Sequence, residues 1–251
     1  MRQHFSFNGH KSTEYGLYIN GDAAYNAPER DTEDIEIPGR SGTLTVDNGR
    51  WRNISVSYKV FVFGAKATQH IDAIREWLLT AIGYTRLEDS YHTDSYRMAR
   101  YSGDVEWDVN LLAQCGEATL TFECWPQRYL KTGETAQTVK SGGKLSNPTA
   151  CPALPLLVLT LTGSAKLQVG STQVAIEGYT AQMTIDCNLQ DSYTDGKNLN
   201  QYITAPDFPI LEAGTTQISW TGGISSLSVT PRWWTLSVSY THLRAHETDS
   251  Y

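Results

Sequence analysis

The sequence predicts a mainly β protein with one helix, and three patterns carry this prediction. Residues 54–62 place an apolar side chain at every second position, which is the period of a long strand with one buried face. Residues 68–83 follow with apolar side chains at helical spacing. Residues 150–236 contain short strand patterns separated by turn residues, without a helical period, which is typical of a β-sandwich.

Length and composition bound the classes of function. With 251 residues, 40% of them hydrophobic, the chain can bury one large core or two ordinary ones. Its 20 basic and 27 acidic residues give a formal charge of -7, and the sequence has no cluster of lysines or arginines. We therefore expect no sequence-specific nucleic-acid binding. The first residues lack the apolar region of a signal peptide, and the longest apolar run, 153–161, is too short to cross a bilayer. We therefore expect folding in a reducing cytoplasm and no membrane insertion.

The first 36 residues indicate strands and turns. Aromatic and polar residues alternate within 1–25, and Asn8-Gly9 and Asn20-Gly21 predict turns, so we expect an opening hairpin. The segment 28–36 is rich in carboxylates. Because a catalytic carboxylate needs apolar surroundings that raise its pKa, and these neighbours are polar, we interpret the segment as a solvated loop or an edge strand.

The stretch between this acidic segment and the long strand predicts two extended pieces and a bend. Ile35 and Ile37 share one face of a short strand, and Pro38 ends it because proline donates no ladder hydrogen bond. Glycines follow and permit a tight bend. The alternation resumes at Leu44, and Asp47-Asn48-Gly49 predicts a turn before the long strand begins.

The predicted helix begins with Thr68 as its cap and ends at Gly83. Its apolar positions, which we expect to pack on a sheet, are Ile71, Ile74, Trp77, Leu78, Ala81 and Ile82. Residues 84–103, rich in tyrosine and charge, fit either a binding surface or half-buried antiparallel strands, and the strand preference of tyrosine favours strands. Strands are predicted again at 104–108 and 118–125, and Pro126 ends the second.

Residues 131–149 have almost no large apolar side chains and contain Gly142-Gly143 and Asn147-Pro148, which predicts a connector. In the following part, Gly170-Ser171 and Gly222-Gly223 predict two-residue hairpin turns. We therefore divide the chain into an N-terminal domain (1–130), a linker (131–149), a β-sandwich domain (150–236) and a terminal segment (237–251). Residues 238–248 resemble a translated sequencing-library adapter, so 237–251 is predicted to be a non-native tail, in which His242 and His246 carry no meaning.

No catalytic residues, cofactor site or metal site are predicted, and we expect a protein that is not an enzyme. The segment 39–43 lacks the second glycine of a nucleophile elbow. The cysteines are scattered without the close pairs of a zinc site, so buried free thiols are expected: Cys115, Cys124, Cys151 and Cys187.

Several motifs, in order and spacing, resemble the distal tail proteins (Dit) of long, non-contractile-tailed bacteriophages. The likeness covers nearly all of residues 1–236 and includes the helix after the long strand. Its motifs are Phe5–Ser12, Tyr15–Ile19, Ile37–Gly42, Phe122–Tyr129, Pro148, Ile185-Asp186, Asp195-Gly196, Phe208–Leu211, Gly214 and Pro231–Trp234.

The resemblance implies an N-terminal split β-barrel-type domain that closes a hexameric ring around the tail channel, and a C-terminal galectin-like β-sandwich that points outward. It implies a virion protein at the tail tip or baseplate, assembled in the bacterial host cytoplasm. Its partners would be copies of itself, the tail tube protein, and tail-tip or baseplate and receptor-binding proteins. A lectin-like fold does not by itself carry sugar binding.

We expect the subunit interface of such a ring to include the turn Ile37, Pro38, Gly39 and Arg40, projecting as an arm with the acidic segment. An internal hairpin of the monomer is the alternative. A carbohydrate-binding module is the alternative function, and it would give a role to Trp220, Trp233 and Trp234, although tryptophans at strand positions are more often part of a core.

Overall fold

The computed structural model describes residues 2–21, 26–64, 67–103, 105–110 and 114–236. The adapter-like segment, with its two histidines, lies outside the described residues. The described part contains one α-helix, α1 (Ala67–Thr80), and three short 3-10 helices. The strands are β1 (Phe5–Phe7), β2 (His10–Lys11), β3 (Leu17–Ile19), β4 (Arg30–Glu36), β5 (Thr43–Trp51), β6 (Ile54–Phe63), β7 (Thr85–Asp89), β8 (Ser95–Tyr101), β9 (Asp108–Asn110), β10 (Cys115–Leu130), β11 (Gln137–Val139), β12 (Gly143–Asn147), β13 (Leu156–Val169), β14 (Thr172–Ile176), β15 (Ala181–Asp186), β16 (Asp191–Thr194), β17 (Lys197–Asn198), β18 (Ile203–Thr204), β19 (Gly214–Thr230) and β20 (Trp234–Thr235).

The first sheet has nine strands in the order β2-β1-β7-β8-β10-β6-β3, and β9 and β20 also pair with β10. The predicted long strand is β6, whose residues alternate between buried and outward positions as expected. The opening hairpin also forms, since β1 pairs with β2 across Asn8 and Gly9, both of which have positive φ. The curled sheet keeps its apolar face inside, which confirms the predicted mainly β fold with a barrel-type first part.

The helix packs on this sheet through the predicted positions. Ile71, Ile74 and Leu78 are buried, and the Trp77 indole donates a hydrogen bond to the Phe7 carbonyl at 3.2 Å. The helix ends at Thr80, so Ile82 lies beyond it, and the prediction that Ile82 packs with the apolar stripe is wrong: its side chain is 93% exposed. Thr68 lies inside the helix, one residue after its start.

Other strand boundaries also differ from the predictions. The segment 84–103 forms β7 and β8, which confirms the half-buried strands. Residues 105–107 are not a strand, and β9 begins only at Asp108. Strand β10 passes through Pro126 instead of ending there, because its register against β8 shifts between Cys124 and Arg128 and proline is tolerated in such a bulge.

The second sheet also has nine strands, in the order β11-β19-β13-β15-β16-β17, with β12 on β19, β14 on β13, and β18 on β14. The hairpin turn at Gly170-Ser171 forms between β13 and β14. The turn at Gly222-Gly223 does not, because β19 runs straight through both glycines. A Cβ atom on Gly222 would meet the Ser164 carbonyl oxygen at 2.4 Å, so these glycines allow the close approach of β13 at a bulge.

The predicted linker contains two strands of this second sheet. β11 and β12 both pair with β19, and the two larger apolar side chains of the segment, Val139 and Leu145, are buried in the second core. The low apolar content reflects strands that each contribute one side chain to the core. The division into domains remains a prediction.

The end of the described chain returns to the first sheet, where β20 pairs with the last residues of β10. The return is held by an ion pair between Arg232 and the buried carboxylate of Asp186, with Nη1–Oδ1 and Nη2–Oδ2 distances of 2.7 and 2.9 Å. Gly133 lies directly against the backbone of Trp233, and a Cβ atom there would be 2.3 Å from the Trp233 nitrogen. These two contacts therefore fix the segment that connects β19 of the second sheet to β20 of the first sheet.

Candidate subunit interface

Strands β4 and β5 form a two-stranded sheet that pairs with neither large sheet. We call this element, residues 30–51, the arm. Within the part of the chain that the structure describes, the ladder hydrogen bonds of the arm join only β4 and β5, so the outer edge of each strand is unpaired there. The acidic segment is thus an edge strand, as one of its two sequence interpretations predicts.

The four residues predicted for the interface form the tip of the arm. The backbone N–H of Arg40 donates to the Ile37 carbonyl at 3.1 Å, which closes a four-residue turn. Pro38 occupies the second position and Gly39, with φ of 81°, the third, which is the sequence signature of a type II turn. All four residues are exposed, and the Arg40 side chain forms no ion pair with a described residue.

The arm has an apolar face and a polar face. Ile35 and Leu44 lie opposite each other across the strands, and Val46 follows on the same face because side chains alternate along a strand. Their exposed fractions are 42%, 46% and 40%. The opposite face carries polar pairs, and the Thr45 hydroxyl donates to the Asp34 carboxylate there at 2.6 Å.

A bulge shapes the middle of β5, where the sequence predicts a turn at Asp47-Asn48-Gly49. The strand does not reverse there: its register against β4 shifts, so that more residues of β5 than of β4 lie between successive pairs. The N–H of Gly49 donates to the Asp47 carboxylate at 2.8 Å, and Arg30 Nε donates to the same group. These two contacts, the N–H of Gly49 first, hold the pKa of Asp47 below its ordinary value.

The base of the arm is fixed by one carboxylate between two arginines. Asp31 accepts hydrogen bonds from Arg50 Nε at 2.6 Å and Arg52 Nε at 3.0 Å. These bonds lower the pKa of Asp31, and the arginine side chains cover it. The sequence analysis missed this site, although the spacing of Arg50 and Arg52 places both on one face of a strand.

The arm is an incomplete structure by itself. A lone two-stranded hairpin is marginally stable in water, and stable sheets need a third strand or an apolar face packed on another element. The arm has neither among the described residues, yet it carries aliphatic side chains at successive positions of one face. Exposed apolar side chains beside unpaired strand edges are the features of a protein–protein contact.

The three tryptophans that a carbohydrate-binding function would use lie in or against the second core. Trp233 is buried, and Trp220 and Trp234 pack against the same core. The indole N–H of Trp220 donates to the Ile224 carbonyl at 3.1 Å, and that of Trp234 to the Pro152 carbonyl at 2.8 Å. These contacts give all three the structural role that strand tryptophans usually have.

The cysteines of the described chain are single buried or half-buried thiols. The four cysteines are free; Cys124 and Cys187 are buried as predicted, whereas Cys115 and Cys151 are half-buried. Burial raises the pKa of the Cys124 and Cys187 thiols to about 12, so they stay protonated at neutral pH. Within the described ranges, no three metal-ligating side chains come together, and no helix has the length and apolar character needed to span a membrane.

The fold is that of a phage distal tail protein. The crystal structure of the SPP1 Dit protein, described as a paradigm of the hub adsorption apparatus in phages that infect Gram-positive bacteria, superposes with a TM-score of 0.69 at 16% identity. The match covers 91% of this chain and 98% of the SPP1 chain. At this identity the similarity shows a common fold, which confirms the fold that the sequence motifs imply.

Weaker similarity is found to a chain of the phage P2 baseplate in its activated conformation with Ca, with a TM-score of 0.48 and 11% identity over 91% of this chain and 97% of that one. No protein-family model and no curated protein matches the sequence.

Proposed function

We propose that the protein is a structural component of a phage tail, which forms a ring at the distal end of the tail tube and links the tube to the tail-tip or baseplate proteins that contact the host. The observation that carries this proposal is the fold similarity to SPP1 Dit over nearly the full length of both chains. The similarity supports a role in assembly.

The ring is proposed to be a hexamer whose subunits are joined by the arm. A closed ring requires a heterologous contact, in which a feature on one subunit binds a different surface of the next. The arm suits this role because it carries unpaired strand edges, an apolar face and a charged tip at Arg40. Its partner surface would lie on residues 1–130, the proposed ring-forming domain, while residues 150–236 would face outward.

The experiment is electron microscopy of the purified protein together with its mass in solution. The proposal predicts rings with a central channel and a mass near six chains. Replacing Arg40 by Glu reverses the charge at the tip without changing the Pro38-Gly39 turn, and should lower the oligomer fraction. A strictly monomeric wild-type protein that also ignores tube and tip proteins would refute the proposal, and an Arg40→Glu variant with an unchanged mass would refute a contact through the tip.

A further inference from the structure

Two arginines lie side by side in the interior of the first sheet. Arg97 and Arg128 occupy directly opposed positions of β8 and β10, and their exposed fractions are 4% and 5%. Opposed residues of an antiparallel pair project from the same face with Cβ atoms about 5 Å apart. Two positive charges therefore share one buried position, where like charges destabilise a sheet.

Their hydrogen bonds are few and long. Arg97 Nη1 donates to the Pro126 carbonyl and Arg128 Nη1 to the Ser95 hydroxyl, each at 3.4 Å. Charge-assisted bonds from arginine are normally about 2.7 to 2.9 Å long. The Nε–H groups of both side chains are buried and have no acceptor among the described residues. Each guanidinium therefore has a buried N–H donor without a hydrogen-bond partner among the described residues.

The neighbouring carboxylates are already occupied. Asp89 accepts the Tyr58 hydroxyl and His92 Nδ1, both at 2.9 Å, and also two backbone N–H groups. Burial acts to raise the pKa of Asp89, but the contacts with His92 and Tyr58 and the charge of Arg128 outweigh it, so the group is a carboxylate at neutral pH. The acids on adjacent strands form ion pairs elsewhere, Glu88 with Arg86 and Lys131, and Glu123 with Arg100.

Arg97 carries its positive charge beside Arg128 in this buried position. Burial lowers the pKa of Arg97 to about 10, and the charge of Arg128 adds to the effect, yet that value leaves Arg97 protonated at neutral pH. No ion pair within 4.0 Å involves either arginine in the described part of the chain. Replacing buried charged groups by apolar residues of similar volume is often neutral or stabilising, so the stability of the fold gives no reason for the arginine pair.

We propose that Arg97 and Arg128 together form a binding site for a small oxyanion of the phosphate class. The planar guanidinium presents several N–H donors in a fork that matches the oxygens of a tetrahedral anion. Two forks from adjacent strands supply donors from two directions. The Ser95 hydroxyl is not one of these donors, because it accepts from Arg128 and donates to the Asp94 carboxylate at 3.1 Å. The register of β10 against β8 shifts between Cys124 and Arg128, so the two side chains lie directly beside an irregularity of the ladder. This site does not depend on the proposed function.

The test uses inorganic phosphate, with isothermal titration calorimetry and thermal unfolding in phosphate and in sodium chloride at matched ionic strength. We expect saturable binding, and a Tm that rises with phosphate and not with chloride, because an anion that binds only the folded state stabilises it. Arg97→Met and Arg128→Met should each abolish the phosphate-dependent rise. Arg100→Met, which removes an exposed arginine of the same strand β8, should keep it.

Two outcomes with the wild type and the Met variants would overturn the site. One is the absence of saturable phosphate binding to the wild-type protein, which needs no variant. The other is an equal phosphate-dependent rise in Tm for wild type and Arg128→Met. If the Met variants do not fold, Arg128→Lys keeps the charge but loses the fork, and we expect it to bind phosphate at least about tenfold more weakly. Unchanged affinity in that variant would also reject the proposal.

Discussion

The apolar face of the arm gives the sharpest test of how subunits associate. Full burial of a leucine or isoleucine side chain is worth about 1.5 to 3 kcal/mol. Ile35 and Leu44 remain 42% and 46% exposed, so a neighbouring subunit that covers them completely would gain about 1.3 to 2.6 kcal/mol from this pair. The double variant Ile35→Ser, Leu44→Ser should lose that contribution, and each contact should weaken by about tenfold to eightyfold.

The assay is sedimentation velocity over a range of protein concentrations, which gives the dissociation constant of the oligomer. A matched control is Glu36→Gln with Thr43→Ser, since these residues are the next opposed pair on the polar face of the same strands. The control should associate like the wild type, and neither variant should change the main unfolding transition, because the arm pairs with neither large sheet.

Equal dissociation constants for the wild type and the serine variant would refute the reasoning. In that case the apolar face of the arm would remain in water in the oligomer, and the contact would have to use the strand edges or another part of the molecule. If the control variant associated more weakly than the wild type and the serine variant associated equally well, the contact would lie on the polar face instead.

Two further predictions concern the junction between the sheets. Gly133→Ala should lower the free energy of unfolding by about 1 to 3 kcal/mol in denaturant unfolding, because the added Cβ would meet the Trp233 backbone. The control Gly163→Ala has open space around its Cβ and should not lower it. Equal losses in the two variants would contradict this prediction. The pKa of Asp186 is lowered: burial opposes the shift, but Arg232 and backbone N–H groups outweigh it. Its contribution to stability is therefore present above the ordinary aspartate pKa and is lost as the pH falls through the lower folded value. Asp186→Asn should cost about 1.5 to 3 kcal/mol at pH 7 and flatten the loss of stability in acid, and an acid unfolding curve identical to the wild type would contradict this role.

The sequence alone determined the elements whose pattern is local. The alternation in β6 and the helical spacing in α1 each require only that one face of one element be buried, so both were predicted with the correct type. The turn at Asn8-Gly9 also follows from local chemistry, because both residues have positive φ in a two-residue connection. The resemblance of several motifs to distal tail proteins predicted the overall fold, which the structure confirms.

The tertiary structure decided where the chain continues instead of reversing. Gly49 and Gly222 have φ values of 74° and 85°, as turn glycines do, yet each lies in the middle of a strand. A bulge and a turn use the same local backbone conformation, and only the partner strand determines which one forms. The pairing of Arg97 with Arg128 has the same origin: it depends on the register of two strands joined by a long connection, and no local pattern in the sequence encodes a contact at that distance.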